Sequence, residues 1–165
     1  DELAALGMHQ RYGVDLEQAR QWTHVTDGNV AAAMRMKHSG GSEVDRDLFI
    51  QWMRSCYVQE TPKTVALAED FAKPGRESMK RFIRYALHMV RQCIVGNYGA
   101  QSLVRLTPAE RTFAEKFAPF IHHGNAIEIQ QLLENAHRDI AGNVNGKLVF
   151  LDLSAQVSLL LRKPT

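Results

Sequence analysis

Alternation of apolar and polar side chains is not the main pattern of the 165 residues, and its longest stretch, Leu151 to Leu159, also carries Leu153 and Val157 at helical spacing. Apolar residues recur instead at spacings of three and four from one end to the other. That period places them on one face of a helix, whereas a half-buried strand needs a period of two. The sequence therefore predicts an all-α protein. Its longest run, residues 76 to 98, carries Met79, Phe82, Ile83, Ala86, Met89, Val90 and Ile94 on one stripe. A second stripe joins Val44, Leu48, Trp52 and Cys56 with Phe49 and Met53. Val149-Phe150-Leu151 alone could pass for a strand, but Leu153, Val157, Leu160 and Leu161 continue it at helical spacing.

Capping residues and helix breakers divide the pattern. Leu3, Leu6, Met8 and Gln10 predict a first helix that stops at Arg11-Tyr12-Gly13. Asp15, with Gln18 three residues on, caps a second helix carrying Leu16, Ala19, Trp22 and His24 and ending near Thr26. Asp27-Gly28 reads as a tight turn, and Asn29 starts a third helix over residues 30–37. His38-Ser39-Gly40-Gly41-Ser42 is the one stretch with linker composition. The expected organisation is a three-helix unit over residues 1–38, a linker over 39–44, and a bundle of five to six helices over 45–165. In the bundle, Ser42, Thr61-Pro62, Thr107-Pro108, Asn125 and Asn145 mark helix starts, and Pro74-Gly75 and Gly142 mark ends.

A chain that is 45% hydrophobic and 23% charged builds a core rather than a disordered segment. Its formal charge of +2 is too small to demand a polyanionic partner. Cys56 and Cys93 match no metal spacing and sit among apolar helical residues, which predicts reduced, buried thiols and a cytoplasmic setting. No apolar run approaches the ~20 residues that span a bilayer, and no signal peptide is visible, so no membrane partner is expected. The chain opens at Asp1-Glu2-Leu3 inside a helical pattern without an initiator methionine, so a longer parent is expected.

No catalytic, cofactor or metal residues are assigned. Gly142-Asn143-Val144-Asn145-Gly146-Lys147 is one residue short of a phosphate loop and follows a helix where that motif needs a strand. Glu134 and His137 have the spacing of a di-iron helix, yet a second copy and two more inward glutamates are missing. His122, His123 and His137 read as surface or helix-end residues. Glu69 and Asp70 are adjacent on a helix and diverge, and no nucleophile elbow occurs.

Lys73, Arg76, Lys80, Arg81, Arg84 and Arg91 face a single acid, Glu77, in their stretch. Arg76, Lys80 and Arg84 are four apart and share a helical face with Arg91. Two readings stay open: a solvated face, or an electropositive surface for DNA phosphates or an acidic protein. Aromatic residues are not interleaved there, so base stacking is not indicated. The last helix is apolar on both faces, through Leu148, Phe150, Leu151, Leu153, Leu159, Leu160 and Leu161. It is either central to the bundle or turned toward a neighbouring subunit.

The segment Thr26-Asp27-Gly28-Asn29-Val30-Ala31-Ala32-Ala33-Met34 resembles the last helix of an AAA+ ATPase lid. With Leu67-Ala68-Glu69-Asp70-Phe71-Ala72, the run from 82 to 98, Lys116-Phe117-Ala118-Pro119-Phe120-Ile121 and Phe150-Leu151-Asp152-Leu153-Ser154, the order of parts resembles the C-terminal two-thirds of a clamp-loader subunit. The family it resembles is the delta-prime type of bacterial DNA polymerase III, as found in the Bacteroidetes, and the likeness covers essentially the whole chain. ATP-hydrolysing relatives carry a Gly-x-x-Arg pattern here whose arginine reaches the nucleotide phosphates. This chain keeps Gly28 but has Ala31 at the arginine position, with Arg35 one turn on.

The resemblance thus implies a lid and collar that use no ATP or other cofactor themselves. A missing N-terminal domain would present an arginine to a neighbour's nucleotide. The expected partners are the other clamp-loader subunits, in a hetero-oligomer, with DNA near the full assembly. Durable collar contacts favour apolar surfaces, and exposed positions on the last two helices are expected at Ile129, Leu133, Leu153, Val157 and Leu160. The alternative is a helical DNA-binding module using Arg76, Lys80, Arg84 and Arg91.

Overall fold

The computed structural model describes residues 2–39 and 41–165, with the side chains of residues 2–34 and 43–165. Its elements run α1 (Glu2–Tyr12), α2 (Leu16–Val25), α3 (Val30–Ser39), α4 (Gly41–Val58), α5 (Thr61–Ala72), α6 (Arg76–Asn97), α7 (Pro108–Phe117), α8 (Ala126–Ala141) and α9 (Gly146–Leu161). Short 3-10 turns at Gln101–Leu103 and Ala118–Phe120 flank α7. No strand occurs among the described residues, and the all-α class is as expected, with six helices from residue 41 onward. No helix among the described residues is long and apolar enough to cross a membrane.

Side-chain oxygens meet the free amides at several helix starts. The Asp15 carboxylate accepts from Glu17 N and Gln18 N, Asn29 Oδ1 from Ala32 N, and Asn145 Oδ1 from Leu148 N. At α7 the box is reciprocal: Thr107 N donates to Glu110 Oε2 at 2.8 Å, and Glu110 N donates to Thr107 Oγ1. Glu110 is buried, and the Tyr85 hydroxyl on α6 donates to its second oxygen, tying α7 to α6. Between α2 and α3, Asp27 (φ 52°) and Gly28 (φ 78°) both take left-handed backbone, which glycine adopts freely and aspartate tolerates. Gly28 N then closes α2 by donating to Thr23 O at 2.7 Å.

Two expectations are corrected in detail. Ser42 does not cap α4; the helix begins at Gly41, and α3 runs to Ser39. The span expected as linker is thus helical on both sides of residue 40, which lies outside the described residues. Once Phe49 and Trp52 anchor α4, extending it backward costs little, because propagation is far easier than nucleation. Leu3 and Ile127 point to solvent, because the buried faces of α1 and α8 pass through Ala5 and Met8, and through Ala126 and Ile129.

Buried apolar residues form two groups. The smaller is Ala5, Met8, Val14, Ala19 and Ala33, within α1 to α3 and the loop between α1 and α2. The larger spans α4 to α9 and centres on Trp52, Phe82, Phe71 and Phe150, whose rings meet at 4.7 to 6.3 Å. Here α6 packs along α8, and α9 packs against α5, α8 and α4. The Gly146 start of α9 presses so closely on Met79 of α6 that a Cβ would overlap its sulfur. Arg105 joins the groups. Its backbone N–H donates to Gln92 Oε1 at 2.6 Å, its carbonyl meets His88 Nε2, and its guanidinium reaches Asp27 and His24 on the α2–α3 side. Burial holds the His88 imidazole below its ordinary value.

Cys56 and Cys93 are free and buried, as expected, and burial pushes their thiols up to about 11 and about 12.

Asn125 staples the start of α8 to the end of α9. Its amide nitrogen donates to Phe120 O at 2.8 Å and Leu160 O at 2.9 Å, while its oxygen accepts from His122 N. Asn125→Ala strands all three backbone groups in a buried site, so urea unfolding should show a loss of about 2–3 kcal/mol. A loss under about 0.5 kcal/mol would mean water replaces the amide at no cost.

Candidate functional site

The last two helices carry the surface of greatest interest, with a correction to which residues form it. Ile129, Leu133, Leu153 and Val157 are buried in the chain's own core, and Leu160 is half-buried. These are the faces that α8 turns toward α6 and α9, and that α9 turns toward α4, α5 and α8. Other apolar residues point outward: Leu148 and Leu159 are 63% and 69% exposed, and Val144 is exposed beside them. On α9 the outward line passes through Leu148, Asp152, Gln156 and Leu159, one helical step from the buried Leu153 and Val157.

Two hollows, of 320 and 410 Å³, lie along this line and share Leu132 of α8 and Gln156 of α9. Together they make one groove with an apolar floor and a polar rim. On that rim, Glu128 pairs with Lys163 at 2.7 Å, and Asp152 accepts from Gln156 Nε2 at 2.7 Å. Asp139 lies further along. The sequence signal for this surface was present in the all-round apolar character of α9, which serves the core and the exterior at once.

On α6 the four basic residues share a face as their spacing predicts. Arg76, Arg84 and Arg91 are exposed and Lys80 is half-buried. Lys80 is partly neutralised by Glu77 at 2.7 Å, whose carboxyl it holds below the ordinary range. Arg84 donates weakly to Lys80 O at 3.4 Å, and Arg76 and Arg91 have no ion pair among the described residues. Arg81 leaves the stripe to grip Asp45 of α4 through two nitrogens, at 2.8 and 3.3 Å.

Across from the stripe, His137 of α8 has its Nε2 buried without a hydrogen-bond partner. Burial, then the charges of Arg84 and Lys80, hold that imidazole below its ordinary value. Among the described residues no group of three histidine, cysteine or acidic side chains stands close enough to hold a metal ion.

The remaining motifs fall in ordinary places. Gly142 to Lys147 spans the turn between α8 and α9, with Asn143 at φ 67° and Lys147 paired to Glu69 at 2.8 Å. Ala31 is exposed in the first turn of α3, and the side chain of Arg35 lies outside the described residues. No family model, no curated protein and no solved structure matches the chain.

Proposed function

We propose that this chain is a non-catalytic assembly module: the lid and collar of a delta-prime-type clamp-loader subunit, holding sister subunits together while nucleotide is hydrolysed elsewhere. In this reading residues 1–38 are the lid and 45–165 the collar, the setting is cytoplasmic, and the partners are the collars of the other loader subunits. The observation that carries it is the outward-facing apolar groove between α8 and α9. Leucines held in solvent on a helix that also builds the core are expensive to keep unless a partner covers them. Ala31 at the lid's arginine position supports the same reading, because a methyl group offers phosphates nothing.

The test is co-sedimentation of the chain with the collar domains of the other loader subunits. The wild type should co-migrate at micromolar concentration. Leu148→Glu with Leu159→Glu should weaken association by roughly a hundredfold, since each buries a charge at the centre of an apolar contact. Both positions are exposed, so circular dichroism of the variant should match the wild type. Failure of the wild type to co-migrate would sink the proposal. If duplex DNA bound instead, with an affinity that falls with salt and with Arg84→Gln, the basic stripe would be the working surface.

A further inference from the structure

A second surface, away from the α8–α9 groove, has a different chemistry. Where the C-terminal end of α4 meets α7 and the 3-10 turn after it, a 240 Å³ hollow is floored by aromatic rings. Tyr57 and Phe120 meet edge to face at 4.9 Å, and Phe113 stacks on Phe117 at 5.2 Å. Tyr57 and Val58 stand 47% and 66% exposed at its mouth. The charged residues lining it are Arg54 and Lys116. Both are exposed, neither has an ion pair among the described residues, and no carboxylate joins them in the lining. One lip is fixed in place, because the Arg162 guanidinium donates to Tyr57 O at 2.6 and 3.2 Å.

Some surface cations of this chain are taken up by internal partners, Arg20 by Glu2 and Glu17, Lys147 by Glu69 and Lys163 by Glu128, whereas Arg54 and Lys116 stand over an apolar floor with no carboxylate beside them in the lining. Two unpaired cations over an apolar floor are the complement of an anionic segment carrying one large apolar side chain. The volume suits a single anchor rather than a whole helix face.

We infer that this hollow binds an acidic peptide segment of another protein, with an aromatic side chain seated on Phe113, Phe117, Phe120 and Tyr57 and flanking carboxylates paired to Arg54 and Lys116. The aromatic anchor supplies most of the affinity through burial and ring contacts. The two cations select against neutral or basic sequences and speed encounter. The inference stands apart from the clamp-loader reading, because it uses neither α8 nor the outward face of α9.

The probe is a fluorescein-labelled peptide, Glu-Asp-Glu-Phe-Asp-Glu-Asp, titrated with the full chain by fluorescence anisotropy. Saturable binding is expected, weakened about tenfold or more by Arg54→Glu with Lys116→Glu, and weakened by raising salt. A peptide with alanine for the phenylalanine should bind at least about tenfold less well. Arg54 and Lys116 are exposed, so the double variant should keep the wild-type circular dichroism spectrum. The inference is overturned if the peptide does not bind at millimolar chain, if the alanine peptide binds equally, or if the charge-reversed variant binds as the wild type does.

Discussion

Trp52→Ala is expected to destabilise the fold by about 3–5 kcal/mol, the range for removing a large aromatic from a packed core. Trp52 is fully buried at the middle of α4 and touches rings from three directions: Phe49 at 6.2 Å, Phe82 at 5.7 Å and Phe150 at 5.3 Å. Its indole Nε1 donates to Ser154 Oγ on α9 at 2.8 Å, and that hydroxyl in turn donates to Phe150 O at 2.6 Å. Truncation to alanine opens a cavity where α4, α6 and α9 converge and deprives Ser154 of its donor. Trp52→Phe keeps most of the ring contact and loses the hydrogen bond, so its cost should be smaller, about 1–2 kcal/mol. Urea unfolding followed by circular dichroism gives both values. A Trp52→Ala cost below about 1 kcal/mol would show that this ring cluster does not organise the bundle.

Arg81→Leu should be the most damaging change at a charged position, and its cost should depend on pH. Asp45 is buried, and Arg81 is the partner that neutralises it. Burial is the larger influence on this carboxyl and pushes it above the ordinary aspartate value, with Arg81 opposing. A group whose folded value is raised stabilises the fold fully below its unfolded value, and that contribution is lost as pH rises through the folded one. Without Arg81 the carboxyl is pushed higher still, so the variant pays most near neutral pH. Because Arg81 is 38% exposed and partly screened, the expected cost at pH 7 is about 2–3 kcal/mol, below that of a fully buried pair. The deficit should shrink as pH falls below the ordinary aspartate range. Asp45→Asn added to Arg81→Leu should recover most of it at pH 7. A deficit that is flat with pH would show that the loss came from packing of the arginine stem instead.

Helix spacing made the class, the helix order and most of the core readable before any coordinates. Met79, Phe82, Ile83, Ala86, Met89 and Val90 lie buried on α6 as their period requires. Local chemistry carried the starts of α2, α7 and α9, because a capping side chain acts within three residues of itself. The direction in which an apolar helix faces was not readable. On α9 apolar residues occur all round, so a period of 3.6 says which residues share a face but not which face meets solvent. For that reason Leu153 and Val157 were placed outside and Leu148 and Leu159 were not. Contacts between distant segments were equally hidden. Asp45 and Arg81 are 36 residues apart, and the aromatic-floored hollow exists only because α4 and α7 end side by side.

The most direct test of the proposed assembly role is photo-crosslinking from position 159 in a mixture reconstituted with the proposed sister clamp-loader subunits. A photoreactive side chain there should form an adduct with a sister subunit's collar, and one at the core position 157 should form none. Labelling at 159 that yields only unreacted chain, in a complex shown to be assembled, would contradict the docking role of the α8–α9 groove.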